Sequence, residues 1–273
     1  VSATDDAAFA ELSRRIARNA GVSLEAYKDK CVRRRIAVRM RACGVHTYAD
    51  YQALLERTPR EYERLRDALT INVTRFFRNA ETWDVLRRDL LPTLLEGGRR
   101  DFRAWSAGCS SGEESYTLAV LLAECLDRAG RSDALERVRV DATDIDRVCL
   151  ERARAAVYRR ESLSELPPEL LAPYFEPAGG DLRVIERVRC RVTVSELDLS
   201  RQRSVRQGYH LILCRNVVIY FDRTTQERLF QLFAQALAPE GYLVLGKVET
   251  LFGPARERLQ LVDPRERIYR RLA

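Results

Sequence analysis

The sequence predicts an α/β protein in two parts: a small all-helical N-terminal domain over residues 1–64, a linker at 65–72, and a helix-covered, mostly parallel sheet with an antiparallel edge over residues 73–273. Three observations predict it. Residues 7 to 69 carry helical periodicity and no strand-like alternation. From Asp101 onward, short apolar runs alternate with helical stretches, the pattern of a parallel sheet whose crossovers are helices. The end of the chain, from Leu259 to Leu272, reads as two short strands around an Asp-Pro turn, which supplies the antiparallel edge.

The elements follow in order. Helix stops are expected at Gly21, Gly44 and the Thr58-Pro59 step. Between Lys28 and Arg41, Val32, Ile36 and Met40 form one apolar stripe at helical spacing. Arg34 and Arg41 fall on the opposite face, with Arg33 and Arg35 flanking it. Arginines this dense repel one another, so the pattern points to an acidic partner that binds there. Further on, Phe102 to Trp105, Val138 to Ala142, Tyr209 to Cys214 and Tyr242 to Leu245 are the buried-strand candidates. Helices are expected at Glu113 to Arg128, Asp146 to Tyr158 and Thr224 to Ala238. No internal repeat is present.

Composition narrows the class. With 46% hydrophobic and 32% charged residues, the 273-residue chain matches an ordinary globular protein. Its apolar runs fall far short of the roughly 20 residues that cross a bilayer, so no membrane insertion is expected. Val1 to Asp6 has neither a basic nor an apolar region of the secretory kind, which makes the cytoplasm the expected compartment. Seven cysteines without a C-x-x-C pair argue against disulfides and zinc. Two distant histidines, His46 and His210, make a His-ligated metal or a Ser-His-Asp triad a poor fit. The net charge of +7 permits an acidic partner, and is equally compatible with a general enrichment of arginine over lysine.

The segment Asp101-Phe-Arg-Ala-Trp-Ser-Ala-Gly-Cys-Ser-Ser-Gly-Glu-Glu-Ser-Tyr116 runs from a strand through a small-residue turn into a helix, where open α/β sheets bind nucleotide-like ligands. Two acids, Glu113 and Glu114, open that helix; they repel a phosphate and suit a ligand that carries a cation. The next strand ends at Asp144, an acid placed to accept hydrogen bonds from ribose hydroxyls. A cationic nucleoside without phosphate satisfies all three features, and S-adenosylmethionine fits better than NAD or ATP. The same pattern is compatible with a packing turn, and Asp144 or Asp146 with a plain helix N-cap.

Four segments in order carry a resemblance: Asn72-Val-Thr-Arg-Phe-Phe-Arg78, Trp105-Ser-Ala-Gly-Cys-Ser-Ser-Gly-Glu-Glu-Ser-Tyr116, Ala142-Thr-Asp-Ile-Asp146 and Cys214-Arg-Asn-Val-Val-Ile-Tyr-Phe-Asp222. They resemble the chemotaxis receptor methyltransferase family, CheR, over nearly the whole chain. The resemblance implies a Rossmann-like S-adenosylmethionine-dependent methyltransferase sheet, and conversion of that cofactor to S-adenosylhomocysteine as a glutamate side chain is esterified. It implies that Asn72, Thr74 and Arg78 reach into the cofactor site, with Arg78 near the methionine carboxylate and the incoming acid. Ala107 lies in the cofactor turn, Glu114 holds the ammonium group and Asp144 the ribose. Asp198, Leu199, Asn216 and Val217 line the adenine side; Asp198 stands where many relatives have Asn. Tyr220 follows the Cys-Arg-Asn strand end, a position open both to a place near the transferred methyl and to a core aromatic.

The implied partner is the acidic cytoplasmic helical bundle of chemoreceptors, facing Arg33, Arg34, Arg35 and Arg41. The connection Glu176-Pro-Ala-Gly-Gly-Asp181 looks shorter than in relatives that dock on a receptor pentapeptide, which favours a pentapeptide-independent enzyme acting as a monomer. A glutamate is already an anionic nucleophile at neutral pH, so no general base and no metal are expected. A nucleic-acid methyltransferase is disfavoured, because Arg215-Asn-Val-Val occupies the place of a polar-Pro-Pro-aromatic motif. A catalytically silent cofactor-binding module is the remaining alternative.

Overall fold

The computed structural model describes residues 3–20, 24–69, 72–96 and 101–273. The chain divides into two compact units, Val1–Ile71 with Ile219–Gln226, and Asn72–Val218 with Glu227–Ala273.

The first unit is helical: α1 (Ala3–Ala20), α2 (Asp29–Ala42), α3 (Tyr48–Arg57) and α4 (Pro59–Leu69). Val32, Ile36 and Met40, the stripe expected on α2, are buried with Leu12, Ile16, Tyr51, Leu55 and Leu65. Gly44 follows α2 at φ +69°, and α3 gives way to α4 at Thr58-Pro59, as the sequence suggests. The stop expected at Gly21 lies outside the described residues. Residues 65–69, expected in a linker, instead form the last turn of α4, because Leu65 and Leu69 continue its buried face. Within this core Arg39 donates from Nε and Nη2 to the two carboxylate oxygens of buried Glu61 at 2.9 and 2.8 Å, and the Tyr51 hydroxyl donates to Oε1 at 3.0 Å. Phe221 joins the unit by a bridge to Tyr27.

The second unit opens with α5 (Ala80–Val85), which passes through a π turn at Leu86–Leu90 into α6 (Leu91–Glu96). Its strands and helices then alternate: β1 (Phe102–Ala107), α7 (Glu113–Arg128), β2 (Val138–Asp144) and α8 (Arg147–Ala155). A small insertion follows, β3 (Val157–Tyr158), α9 (Pro168–Tyr174), β4 (Phe175–Ala178) and β5 (Asp181–Val184), then α10 (Glu186–Arg189) and β6 (Val192–Glu196). The chain ends with β7 (Tyr209–Cys214), α11 (Arg223–Ala236), β8 (Leu237–Leu245), β9 (Leu259–Asp263) and β10 (Ile268–Arg271).

Among the described residues the main sheet has seven strands in the order β6-β2-β1-β7-β8-β10-β9. The first five pair in parallel, and β10 runs antiparallel to both β8 and β9. The central strands are buried on both faces, which is why they read as apolar runs. Strand order reverses between β1 and β7, so the loops after these two strands leave in opposite directions and frame a crevice at the carboxyl edge of the sheet.

Three expectations are corrected. The helix placed at Asp146 to Tyr158 ends at Ala155; Ala156 turns left-handed at φ +51° and the chain enters β3. The helix placed up to Ala238 ends at Ala236, because Leu237 already pairs with Tyr209 in the sheet. Glu176 to Ala178, taken as a connection, is β4 of an antiparallel sheet β3-β5-β4 with only Gly179-Gly180 between its strands. No described helix is long and apolar enough to cross a membrane.

Candidate cofactor and active site

The site is built where β1 and β2 end. Gly108 adopts φ +87°, and a Cβ there would stand 2.5 Å from Cγ2 of Val217, so the turn after β1 packs directly on the turn after β7. Gly112, at φ +96°, opens α7; a Cβ there would meet the Tyr158 hydroxyl at 2.7 Å. Between these glycines the Ser110 N–H donates to Asp144 Oδ2 at 2.8 Å, and the Asp146 N–H donates to Oδ1 at 3.0 Å. Asp146 itself caps α8, accepting from the N–H groups of Val148 and Cys149 at 2.9 and 3.1 Å. Of the two acids, Asp146 is therefore the N-cap, and Asp144 is left at the strand tip.

The loop from Asn72 to Arg78 meets this turn. Asn72 Nδ2 donates to Asp146 Oδ2 at 2.6 Å, and its Oδ1 accepts from the Ser110 hydroxyl at 3.4 Å. The Glu113 side chain accepts from the Ser111 hydroxyl at 2.8 and 3.0 Å. Half-buried Arg78 donates from Nη1 to the Val73 carbonyl at 2.7 Å and forms no ion pair among the described residues.

Glu114 lies one residue into α7. It accepts from the Ser106 hydroxyl at 2.8 Å and from Arg215 Nη1 at 3.5 Å. Burial pushes its carboxyl above the ordinary range, and the Arg215 guanidinium opposes that rise. Asp144 is likewise pushed up by burial, against the pull of the Asp146 and Ser110 N–H groups. Arg215 is held by the Arg78 carbonyl at 2.7 Å and by Asn79 Oδ1 at 3.3 Å, with its guanidinium 5.1 Å from the Trp83 ring centre. After β6, Asp198 Oδ1 caps the turn Leu199–Arg201 through the Ser200 N–H at 2.9 Å. Asn216 Oδ1 is a buried acceptor without a hydrogen-bond partner among the described residues, whereas Asp198 Oδ2 meets the Arg201 guanidinium at 3.5 Å.

This donor set fits a cationic nucleoside: two largely buried carboxylates, Glu114 offset by Arg215 at 3.5 Å and Asp144 by backbone N–H groups, with the orphaned acceptor Asn216 Oδ1 at the end of β7. Among the described residues no group of three or more His, Cys, Asp or Glu side chains is arranged to hold a metal ion.

The comparison with known families decides the assignment. Residues 72–268 match the CheR methyltransferase, SAM binding domain, and residues 7–70 match the CheR methyltransferase, all-alpha domain. The chain belongs to the CheR methyltransferase family. It is 37% identical to the chemotaxis protein methyltransferase of Klebsiella aerogenes, covering 92% of this chain and 86% of that one. It is 36% identical to the protein of the same name in Escherichia coli, covering 90% and 85%. A TehB-like SAM-dependent methyltransferase structure from Corynebacterium glutamicum aligns with 71% of this chain and 94% of its own at 15% identity, with a TM-score of 0.38. The protein is thus an S-adenosylmethionine-dependent methyltransferase with a helical N-terminal domain and a mixed, mostly parallel sheet.

The second unit brings together Asn72, Glu114, Asp144 and Val217 through the contacts above; Thr74 is half-buried in the Asn72–Arg78 loop, and Ala107 is fully buried as the last residue of β1. Tyr220 belongs to the helical unit, where its ring centre lies 5.0 Å from the Arg35 guanidinium and its carbonyl accepts from the Lys28 N–H at 2.8 Å. The α2 arginines divide. Arg33 pairs with Asp6 and Asp29 at 2.8 and 2.6 Å and lies over the Phe9 ring, and Arg35 donates to the Leu69 carbonyl. Arg34 and Arg41 are exposed, and among the described residues Arg41 donates only to the Ala37 carbonyl of its own helix at 3.3 Å. The sequence motifs contain Arg215 and Ser106 but assign them no role, and Trp83 and Glu249 lie outside them. Glu249 alone had a readable signal, an acid three residues after a glycine at a strand end.

Proposed function

We propose that the enzyme esterifies glutamate side chains on the acidic cytoplasmic helical bundle of chemoreceptors. The observation that carries the reading is the double attachment of buried Arg215, at 3.5 Å to Glu114 and at 2.7 Å to the Arg78 carbonyl. One side chain thereby ties the carboxylate suited to the cofactor's ammonium to the segment that carries a guanidinium suited to a carboxylate. S-adenosylmethionine, when bound, supplies the electrophilic methyl. Arg78 orients the acceptor carboxylate, which is ionised at neutral pH and needs no base. The buried walls exclude water from the reacting atoms.

Arg34 and Arg41, the exposed members of the α2 cluster, form the docking charge for the receptor. The two-glycine hairpin between β4 and β5 supports a pentapeptide-independent mode; low-micromolar binding of such a peptide would reverse that part. The test of the whole is transfer of labelled methyl to cytoplasmic receptor fragments, with base treatment releasing methanol from an ester. Arg78→Ala is expected to lower the base-labile yield by about 100-fold, the order by which misplaced reactants slow a transfer. Base-stable label, or no loss in Arg78→Ala, would overturn the proposal.

A further inference from the structure

At the carboxyl edge of the sheet, the turn after β8 reaches back to the turn after β7 through one buried side chain. Glu249 is 2% exposed. Its Oε2 accepts from the N–H groups of Gly246 at 2.6 Å and Asn216 at 2.9 Å, and its Oε1 accepts from the N–H of Val217 at 2.9 Å. Three backbone donors thus converge on one carboxylate. The approach needs glycine at 246, where a Cβ would stand 2.7 Å from Glu249 Oε2 and 2.8 Å from the Asn216 nitrogen.

Two consequences follow for the pocket. Asn216 is held at φ +59°, a left-handed conformation that costs energy unless its surroundings fix it, and this conformation leaves its buried Oδ1 without a partner. Val217 is held with its side chain against the Gly108 turn, so the β7 turn and the cofactor loop share one position.

We infer that Glu249 is a positioning residue for the cofactor pocket: its carboxylate sets the Asn216–Val217 turn, and with it the side of the pocket that packs on the Gly108 turn. It acts through the turn and does not touch the transferred methyl. The inference rests on the reading of Asn216 and Val217 as cofactor-lining. Charge is essential to the role. A carboxylate offers lone pairs from both oxygens, whereas Glu249→Gln turns one oxygen into an NH2 group that faces at least one backbone N–H.

The test is calorimetric titration of S-adenosylhomocysteine into the intact protein and its Glu249→Gln, Glu249→Asp, Asn216→Ala and Asp141→Asn variants, at a temperature where thermal melts show each to be folded. Asp141 is a buried carboxylate bonded to the Tyr209 hydroxyl at 2.7 Å, so its variant controls for general destabilisation. The expected result is a Kd raised about tenfold or more in Glu249→Gln, the scale of a lost charged hydrogen bond, with partial recovery in Glu249→Asp and no change in Asp141→Asn. KM for S-adenosylmethionine rises in parallel while KM for the methyl acceptor stays constant. Wild-type affinity in Glu249→Gln beside weakened Asn216→Ala overturns the inference alone. Wild-type affinity in both overturns the pocket assignment with it. Should Glu249→Gln not fold, unchanged affinity in Glu249→Asp overturns the inference equally. Product binding requires no acceptor, so none of these outcomes depends on glutamate being the methylated group.

Discussion

Glu114 and Asp144, the carboxylates proposed for the cofactor, carry an energetic cost in the free protein. Both carboxyls are largely withdrawn from water, and this desolvation raises both above the ordinary carboxylate range. Between the unfolded and the folded values the folded state holds more protons, so these groups make the free enzyme less stable as pH rises through that window. A cofactor ammonium requires the ionised form and reverses the preference. Affinity for S-adenosylhomocysteine is therefore expected to weaken as pH falls from 8 toward 5, starting at a higher pH than a solvent-exposed carboxylate would give. Calorimetry across that range checks it, and Glu114→Gln should flatten the profile while weakening binding at pH 8. An affinity independent of pH down to 5 would deny Glu114 its role. Both acids were legible in the sequence as strand-tip and helix-opening residues. Arg215 was not, since a motif shows which residue is present and only the fold shows that its guanidinium reaches Glu114 and the Arg78 carbonyl.

At the scale of elements, the helical unit turns on the Arg39–Glu61–Tyr51 cluster that fastens α2 and α3 to α4. Burial works to raise the Glu61 carboxyl, but the hydrogen bonds of Arg39 and Tyr51 prevail and hold it below its ordinary value. A depressed folded value means that its stabilisation is present above the unfolded value and is lost as pH falls through the folded one. Glu61→Ala leaves Arg39 without its partner and is expected to cost about 3 kcal/mol, the scale for breaking a buried ion pair. Urea unfolding followed by circular dichroism measures it, and the gap between variant and parent should close in acid. Elsewhere legibility follows burial. α7 was readable to the residue, and β1 and β7 stood out because both of their faces are buried. β6 escaped notice because its residues are half-buried or exposed at the sheet edge, and β3 because two residues carry no periodicity.

For the molecule as a whole, the question is whether acceptor recognition and cofactor binding are separable. All the residues proposed to bind the cofactor lie within Asn72–Val218 and Glu227–Ala273, whereas the exposed α2 arginines belong to the helical unit. If Arg34 and Arg41 attract an acidic receptor helix, the double variant Arg34→Glu, Arg41→Glu should raise KM for receptor fragments about tenfold or more at low salt, since each reversal replaces attraction with repulsion. The defect should shrink as salt rises, because interactions between exposed charges are screened over about 8–10 Å near physiological ionic strength. Affinity for S-adenosylhomocysteine should not move. Arg35→Glu is a different experiment: that guanidinium donates to the Leu69 carbonyl and lies over Tyr220, so reversing it is expected to lower the melting temperature whatever the substrate. The sequence alone marked Arg33, Arg34, Arg35 and Arg41 as one cluster; burial and pairing divide them into two that hold the unit together and two that face outward. Receptor methylation that survives reversal of Arg34 and Arg41 at low salt would move the docking surface off α2, while a loss that persists undiminished in high salt would mean that shape rather than charge selects the acceptor.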